Sequence, residues 1–302
     1  MTGLTYDVMS MKRIFRVLTG FILLSLQACS GKDMTGTELA APPVPEPDVE
    51  TEGLYDKEEG VTRLVTYNIG SFSKTPQSSC SMVSSMMTEL GADIISFNEL
   101  DKNTSRSGRV DQLAQVTAGM RGWKYVFAKA IDFQGGEYGN GIAYNPETTG
   151  EPLSQFTIPF PDAAEPRVCL VLEFEDFVFA STHLEVSSSS ERVAEVKKIT
   201  ETLKDRFSDN SKPVFLAGDM NELPNESAIM ELGREWSMIS ANSPTYPSSS
   251  PKTCIDMIFM MDGHGECEVK AAAVANRFVS GDVSLASDHL PSYADIFLTD
   301  EN

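Results

Sequence analysis

The sequence predicts an α/β fold of the α+β type, a four-layer αββα sandwich of two packed mixed β-sheets flanked by helices. Three observations carry this. Strand-like apolar runs outnumber amphipathic helical stretches. Tight hairpin connections and helical crossovers both occur, so parallel and antiparallel pairs belong to the same sheets. Several strand-like runs also end in polar, chemically capable residues, as expected where sheet edges open onto a shared site.

The elements follow in order. Thr62–Ile69 is rich in β-branched and aromatic residues and reads as the first strand. Ser81–Leu90 places Met82, Val83, Met86, Met87 and Leu90 at helical spacing, and Gly91 closes it. Asp93–Phe97 is the next strand, with Asn98 and Glu99 at its end. Val110–Met120 is a second amphipathic helix. Trp123–Lys129 and Gly141–Tyr144 are strands joined by a glycine-rich loop, Phe133–Asn140. Val168–Phe174 and Phe177–Ser181 read as a hairpin turning at Glu175-Asp176. Ser190–Phe207 is a long helix, with Val193, Val196, Ile199, Thr200 and Leu203 on one face. The strand Val214–Ala217 and the short helix Ser227–Leu232 follow. A Ser/Pro-rich loop, Thr245–Lys252, precedes the closing strands Cys254–Met261 and Tyr293–Leu298.

The chain has 302 residues, 41% of them hydrophobic, enough for one sizeable core. Its N-terminus reads as an address. Lys12, Arg13 and Arg16 form a basic region ahead of the apolar run Val17–Leu26. That run is far short of the ~20 residues a membrane span needs. Leu26-Gln27-Ala28-Cys29 then resembles a lipoprotein cleavage site, although Gln27 departs from the usual small or β-branched residue, with Cys29 as the lipidated first residue of the mature chain; an ordinary cleaved signal is the alternative. Residues 1–29 are therefore expected to be a lipoprotein signal peptide, and residues 30–60, rich in Pro and Glu, a disordered linker. The catalytic domain is expected to span 61–302, to act as a monomer, and to be exported and held to a bacterial membrane by its lipid.

The formal charge is −20, and removal of residues 1–29 makes the chain more acidic still. Nonspecific nucleic-acid binding requires Lys and Arg to displace counterions from phosphates, so composition disfavours it. Cys80, Cys169, Cys254 and Cys267 fit no zinc spacing. Export permits disulfides, and Cys254–Cys267 is the nearest pair; buried free thiols are the alternative.

The polar strand ends are Asn68, Asn98-Glu99, Thr182-His183, Asp219 with Asn221, and Asp256 or Asp288-His289. Asp219 and Asn221 stand two apart after Gly218, a spacing that lets both side chains share one space on extended backbone. A carboxylate there can take a proton or hold a metal, and a carboxamide can donate to an anion. Only three histidines are present, and two of them stand at such ends.

Seven segments occur in an order that resembles the endonuclease/exonuclease/phosphatase superfamily: Thr66-Tyr67-Asn68-Ile69, Phe97-Asn98-Glu99-Leu100, Gly139-Asn140-Gly141, Ser181-Thr182-His183-Leu184, Gly218-Asp219-Met220-Asn221, Cys254-Ile255-Asp256-Met257-Ile258 and Ser287-Asp288-His289-Leu290-Pro291. The resemblance runs from about Val61 to Leu298. It implies a metal-dependent phosphoesterase with Mg²⁺ as cofactor, Mn²⁺ or Ca²⁺ being alternatives. Glu99 would be the principal metal ligand, supported by Asn68 and Asp288. Asp219 would orient or deprotonate the attacking water, with Asn221 beside it. His289 and Asp256 would form a His–Asp pair, and His183 a second donor to the phosphate. Asn140 and Arg167 would bind substrate. Asn68-Ile69-Gly70-Ser71 lacks the acidic residue that some members carry two positions after the Asn, which argues against a second metal.

Three functions follow. The first is a phosphoesterase acting on a small or lipid-linked phosphomono- or phosphodiester. The second is a secreted Mg- or Ca-dependent nuclease, with Arg106, Arg109, Lys129 and Arg167 lining a groove. The third is a noncatalytic binding lipoprotein that uses the fold as a module.

Overall fold

The computed structural model describes residues 53–72, 79–161, 163–208 and 212–298. The signal segment, Cys29 and most of the linker lie outside the described residues. The packed chain begins before Val61, which corrects the linker boundary. The Tyr55 ring lies 5.2 Å from Phe278, Lys57 pairs with Asp93 at 2.5 Å, and the Tyr55 carbonyl accepts from Arg63.

Strand β1 (Thr62–Asn68) leads to helix α1 (Ser79–Glu89) and β2 (Ile94–Lys102). Helix α2 (Gln112–Ala118) precedes the hairpin β3 (Lys124–Phe133) and β4 (Gly136–Tyr144), and the short α3 (Pro146–Thr149) follows. Strands β5 (Ser154–Phe160), β6 (Arg167–Glu173) and β7 (Val178–His183) form a meander. Helix α4 (Ser189–Arg206) crosses over to β8 (Val214–Asp219). The chain closes with α5 (Ser227–Leu232), β9 (Trp236–Met238), β10 (Asp256–Met261), β11 (Cys267–Val274), α6 (Val283–Ala286) and β12 (Ser292–Leu298).

Among the described residues there are two six-stranded mixed sheets, ordered β11-β12-β1-β2-β4-β3 and β5-β6-β7-β8-β10-β9. Their parallel pairs are β1–β2, joined through α1, and β7–β8, joined through α4. Three apolar layers result. Helices α1 and α2 cover the outer face of the first sheet through Val83, Met86, Met87, Leu113 and Val116. Helices α4 and α5 cover the second through Val196, Ile199, Leu203, Ala228 and Leu232. Between the sheets lie Leu64, Ile94, Ile142, Phe179, Phe215 and Ile258. This is the predicted αββα sandwich.

Local sequence explains the framework. Ser188 caps α4 by accepting from the Glu191 N–H, while Lys204 and Arg206 sit where the helix dipole is negative. Gly91 ends α1 with φ +67°, a conformation that costs a side-chain-bearing residue energy.

The predicted glycine-rich loop is mostly strand. Strand β3 runs to Phe133 and β4 starts at Gly136, so only Gln134-Gly135 turns, both with positive φ. Such a two-residue turn matches the twist of a hairpin and needs no longer loop. Strands β5, β9 and β11, which the sequence reading does not mark, are short or at sheet edges. Strand β11 is exposed along much of its length and carries a bulge between Val269 and Ala271. Cys80, Cys169, Cys254 and Cys267 are free thiols, so the Cys254–Cys267 bridge is not formed.

Candidate active site

Strand alternation aims the site. On β1 the residues facing the opposite sheet are Leu64, Thr66 and Asn68, and on β2 they are Ile94, Ser96 and Asn98. On β7 and β8 they end in His183 and Asp219, which lie opposite each other in register. Asp256 opposes Asp219 from β10. Gly218 is required where β8 closes on β7, because a Cβ there would stand 1.8 Å from the Thr182 carbonyl oxygen. The Asp219 side chain is thereby seated deep between the sheets.

Asp219 is the hub. Its Oδ2 accepts from Asn68 Nδ2 at 2.9 Å and its Oδ1 from the Asn221 N–H at 2.9 Å. Its own N–H donates to Asn98 Oδ1, and Asn98 Nδ2 donates to the Thr182 carbonyl, both at 2.9 Å. His183 Nε2 lies 3.7 Å and His289 Nε2 3.8 Å from Asp219 Oδ2. His289 Nδ1 donates to Asp256 Oδ2 at 2.9 Å. The Ser287 hydroxyl ties the Asp288-His289 turn to the end of β1 by donating to the Asn68 carbonyl at 2.6 Å.

Burial, followed by the nearby Asp256 carboxylate, pushes the Asp219 carboxyl up to about 7, against hydrogen bonds from Asn221 and Asn68. Burial opposes charging His289, but Asp256, Asp219 and Asp288 outweigh it and push the ring up to about 10. Burial, the Arg167 guanidinium and His289 hold His183 well below the ordinary histidine range. The two imidazoles are thus driven in opposite directions.

Around this hub lies a pocket of about 440 Å³. Its walls include Glu99, Arg167, His183, Asp219, Asn221, Asp288 and His289, together with Tyr138, Glu165 and Tyr246. A bulge in β2 between Phe97 and Leu100 turns Glu99 toward it, and Glu99 adopts φ +58°. The Tyr246 ring packs 4.8 Å from the His289 ring.

Two predicted residues take other places. Asn140 does not line the pocket: its Nδ2 donates to the Val168 carbonyl at 2.9 Å and ties β4 to β6. Asn68 presents its NH₂ to Glu99 Oε1 at 3.1 Å and to Asp219, while its Oδ1 accepts from the Gly70 N–H. Its NH₂ thus holds both carboxylates, and its oxygen accepts one hydrogen bond from the backbone. Tyr246 and Glu165 are absent from the predicted set, and Asn98, named among the polar strand ends, has no role assigned to it there. Parity with Ile94 and Ser96 would have placed Asn98 in the site, whereas Tyr246 and Glu165 come from loops with no periodic signal.

A hard divalent cation fits the donor set. Glu99, Asp219, Asp288 and Glu165 bring carboxylate oxygens to one pocket. Asp219, Asp256 and His289 converge within 4.8 Å, close enough to share an ion, but His289 and Asp256 are already bonded to each other. Glu99, presented by the bulge, and Asp288 line the same pocket.

The sequence matches the endonuclease/exonuclease/phosphatase family model over residues 65–289. None of the curated proteins matches it. Among solved structures, an endonuclease/exonuclease/phosphatase from Bacteroides vulgatus superposes with a TM-score of 0.65 at 18% identity, covering 79% of this chain and 99% of that one. A mannosyl-6-phosphatase from Bacteroides thetaiotaomicron VPI-5482 gives 0.62 at 16% identity, covering 78% and 99%. D. rerio TDP2, complexed with single strand DNA product, gives 0.61 at 15% identity, covering 79% and 99%. At such identities these likenesses establish the fold.

Proposed function

Because the chain belongs to the endonuclease/exonuclease/phosphatase family, we propose that it is a divalent-metal-dependent hydrolase of a small or lipid-linked phosphomono- or phosphodiester. The observation that carries this is the Asp219 carboxylate, buried between the sheets and flanked by the Nε2 atoms of His183 and His289.

A phosphoester anion repels nucleophiles, so a hydrolase must orient water, offset charge and stabilise the leaving oxygen. Asp219, raised toward neutrality by burial, is suited to orient a water and take its proton. Asn68 and the Asn221 N–H hold that carboxylate in one rotamer. His183 and His289 aim donors at the space in front of it, where the phosphoryl oxygens would lie. The His289–Asp256 pair can supply a proton to the departing alkoxide. A divalent ion held by Glu99 and Asp288 would supply charge neutralisation at the phosphoryl group. The lipobox at Cys29 supports action on the outer side of a bacterial membrane, where the anchor would bring the pocket to lipid-linked substrates.

The nuclease reading is weakened by the basic residues offered for it. Arg106 is paired with Asp101, and Lys129 with Asp132 at 3.0 Å. Arg109 is bonded to the Asn103 and Gly135 carbonyls, and Arg167 is paired with Glu165 at 3.0 Å. Each already has a partner within the chain, which supports a compact substrate over a long phosphate backbone.

The test is hydrolysis of a panel of phosphomonoesters and diesters with Mg²⁺, Mn²⁺ or Ca²⁺, with and without EDTA. Turnover should vanish on chelation, return with added metal, and fall by about 10³-fold or more in Asp219→Asn. Activity that survives both treatments would overturn the mechanism.

A further inference from the structure

We infer that Arg167 is a positioning residue that locks His183 in its neutral Nε2–H tautomer, making His183 a fixed hydrogen-bond donor to a phosphoryl oxygen and not the leaving group's proton donor. The role assigned to His183 rests on the phosphoesterase reading; the tautomer itself does not.

Arg167 Nη1 stands 3.2 Å from His183 Nδ1 and 3.0 Å from Glu165 Oε1. A guanidinium carries only donors and stays protonated in proteins. The contact therefore requires a lone pair on His183 Nδ1, because an Nδ1–H would face an N–H. Nη1 also forms an ion pair with Glu165 Oε1, and His183 Nδ1 is its hydrogen-bond partner. The ring proton is left on Nε2, the atom that faces Asp219 Oδ2 across 3.7 Å.

The Arg167–His183 contact is buried. Arg167 is 6% and His183 4% exposed. Glu185 Oε2 lies 4.0 Å from Arg167 Nε on the guanidinium's other side, a charge pairing without a hydrogen bond, since both atoms are buried without a hydrogen-bond partner. A second positive charge on the buried ring beside this guanidinium is opposed by burial and by Coulomb repulsion together. The two histidines thereby divide the work. His289 donates its Nδ1–H to a carboxylate, which favours the charged ring, while His183 accepts from a cation, which forbids it. Arg167, offered by the sequence as a phosphate clamp, acts in this reading through the imidazole it orients.

Two measurements test this on the full folded chain. The first is long-range ¹⁵N NMR of the imidazoles. Only three histidines are present, and His183 is assigned by loss of its signals in His183→Gln. The expected pattern is an acceptor-type Nδ1 and a protonated Nε2. An Nδ1–H tautomer or a doubly protonated ring would overturn the inference. This readout needs neither substrate nor metal, so it stands or falls apart from the proposed function.

The second is a double-mutant cycle on the substrate found by the panel. Arg167→Met should lower kcat by about 100-fold, as removal of one preorganised donor does. Arg167→Lys, which keeps a donor but not the fork, should recover part of that. In a His183→Ala background, Arg167→Met should cost no more than about threefold further. Losses that multiply in the double variant would make Arg167 a direct phosphate clamp and overturn the positioning role.

Discussion

The interface between the two sheets has an apolar end and a polar end built from the same strands. At one end Leu64, Ile94, Phe179, Phe215 and Ile258 meet in a sealed core. Four residues further along each of β1, β2, β7 and β8, on the same face, stand Asn68, Asn98, His183 and Asp219, and two residues before Ile258 stands Asp256. Period-two alternation makes every strand a ruler, so a change of residue type along one face turns a core into a site. The apolar end stabilises the sandwich. The polar end keeps buried charges and unpartnered atoms, Asp256 Oδ1 among them, that a structural core would not retain. Stability and chemistry are therefore separated by about four residues along one strand.

Phe215 and Asp219 test that separation on β8. Phe215→Ala should destabilise the fold by about 4 kcal/mol through lost burial and a residual cavity. The kcat of the molecules that remain folded should change little. Asp219→Asn should do the reverse, ending turnover while leaving the urea midpoint unchanged or higher, since a buried carboxylate is replaced by a neutral isostere. Denaturation curves and kcat on both variants decide this. A large stability loss in Asp219→Asn would erase the distinction between the two ends.

A buried carboxylate outside the sheet interface also predicts a pH dependence. Glu195 on α4 is 4% exposed; one carboxylate oxygen accepts from the Glu185 N–H at 2.9 Å and the other has no partner. Burial is the main cause of its rise from 4.5 to about 7, partly offset by the Glu185 N–H and Arg167. The folded chain thus holds a proton that the unfolded chain releases between these values. Stability should fall as pH rises across that window and stay reduced above it. Glu195→Gln should match the wild type near pH 4.5 and exceed it by roughly 3 kcal/mol near pH 8. Parallel stability curves for the two proteins would show that Glu195 is ordinary.

The two ends differ in how far the sequence discloses them. Central strands such as Val214–Asp219 are apolar on both faces and stand out as unbroken runs, and the polar residues that end them are visible by contrast. Edge strands bury one face at most, so Ser154–Phe160 and Cys267–Val274 carry no such run. Asp219 and Asp256 are legible because they lie at strand ends, and His289 because its turn falls in the same recognisable order of segments. Asn140 fits that order, yet its side chain is turned to the Val168 carbonyl, a direction that follows from sheet-to-sheet distance and not from any local pattern. Tyr246 was illegible for a related reason: its loop is placed by long-range bonds, including the Leu290 N–H to the Thr245 carbonyl at 2.8 Å.

The boundary between the two ends is itself a pair of side chains. Midway between Ile94 and Asn98 on β2, and between Phe179 and His183 on β7, the Ser96 and Ser181 hydroxyls meet at 2.6 Å between the sheets, and Ser96 also reaches the Ala217 carbonyl at 3.3 Å. A single Ser→Ala change at either position leaves the other hydroxyl buried with one partner fewer, and should cost about 1–2 kcal/mol. Removing both hydroxyls should cost less than the sum of the singles, since matched polar groups deleted together leave little unsatisfied. The coupling measured by urea denaturation of the two singles and the double places the boundary. If it is near zero, the polar region starts only at Asn68, Asn98 and Asp219, and the serines belong to the core.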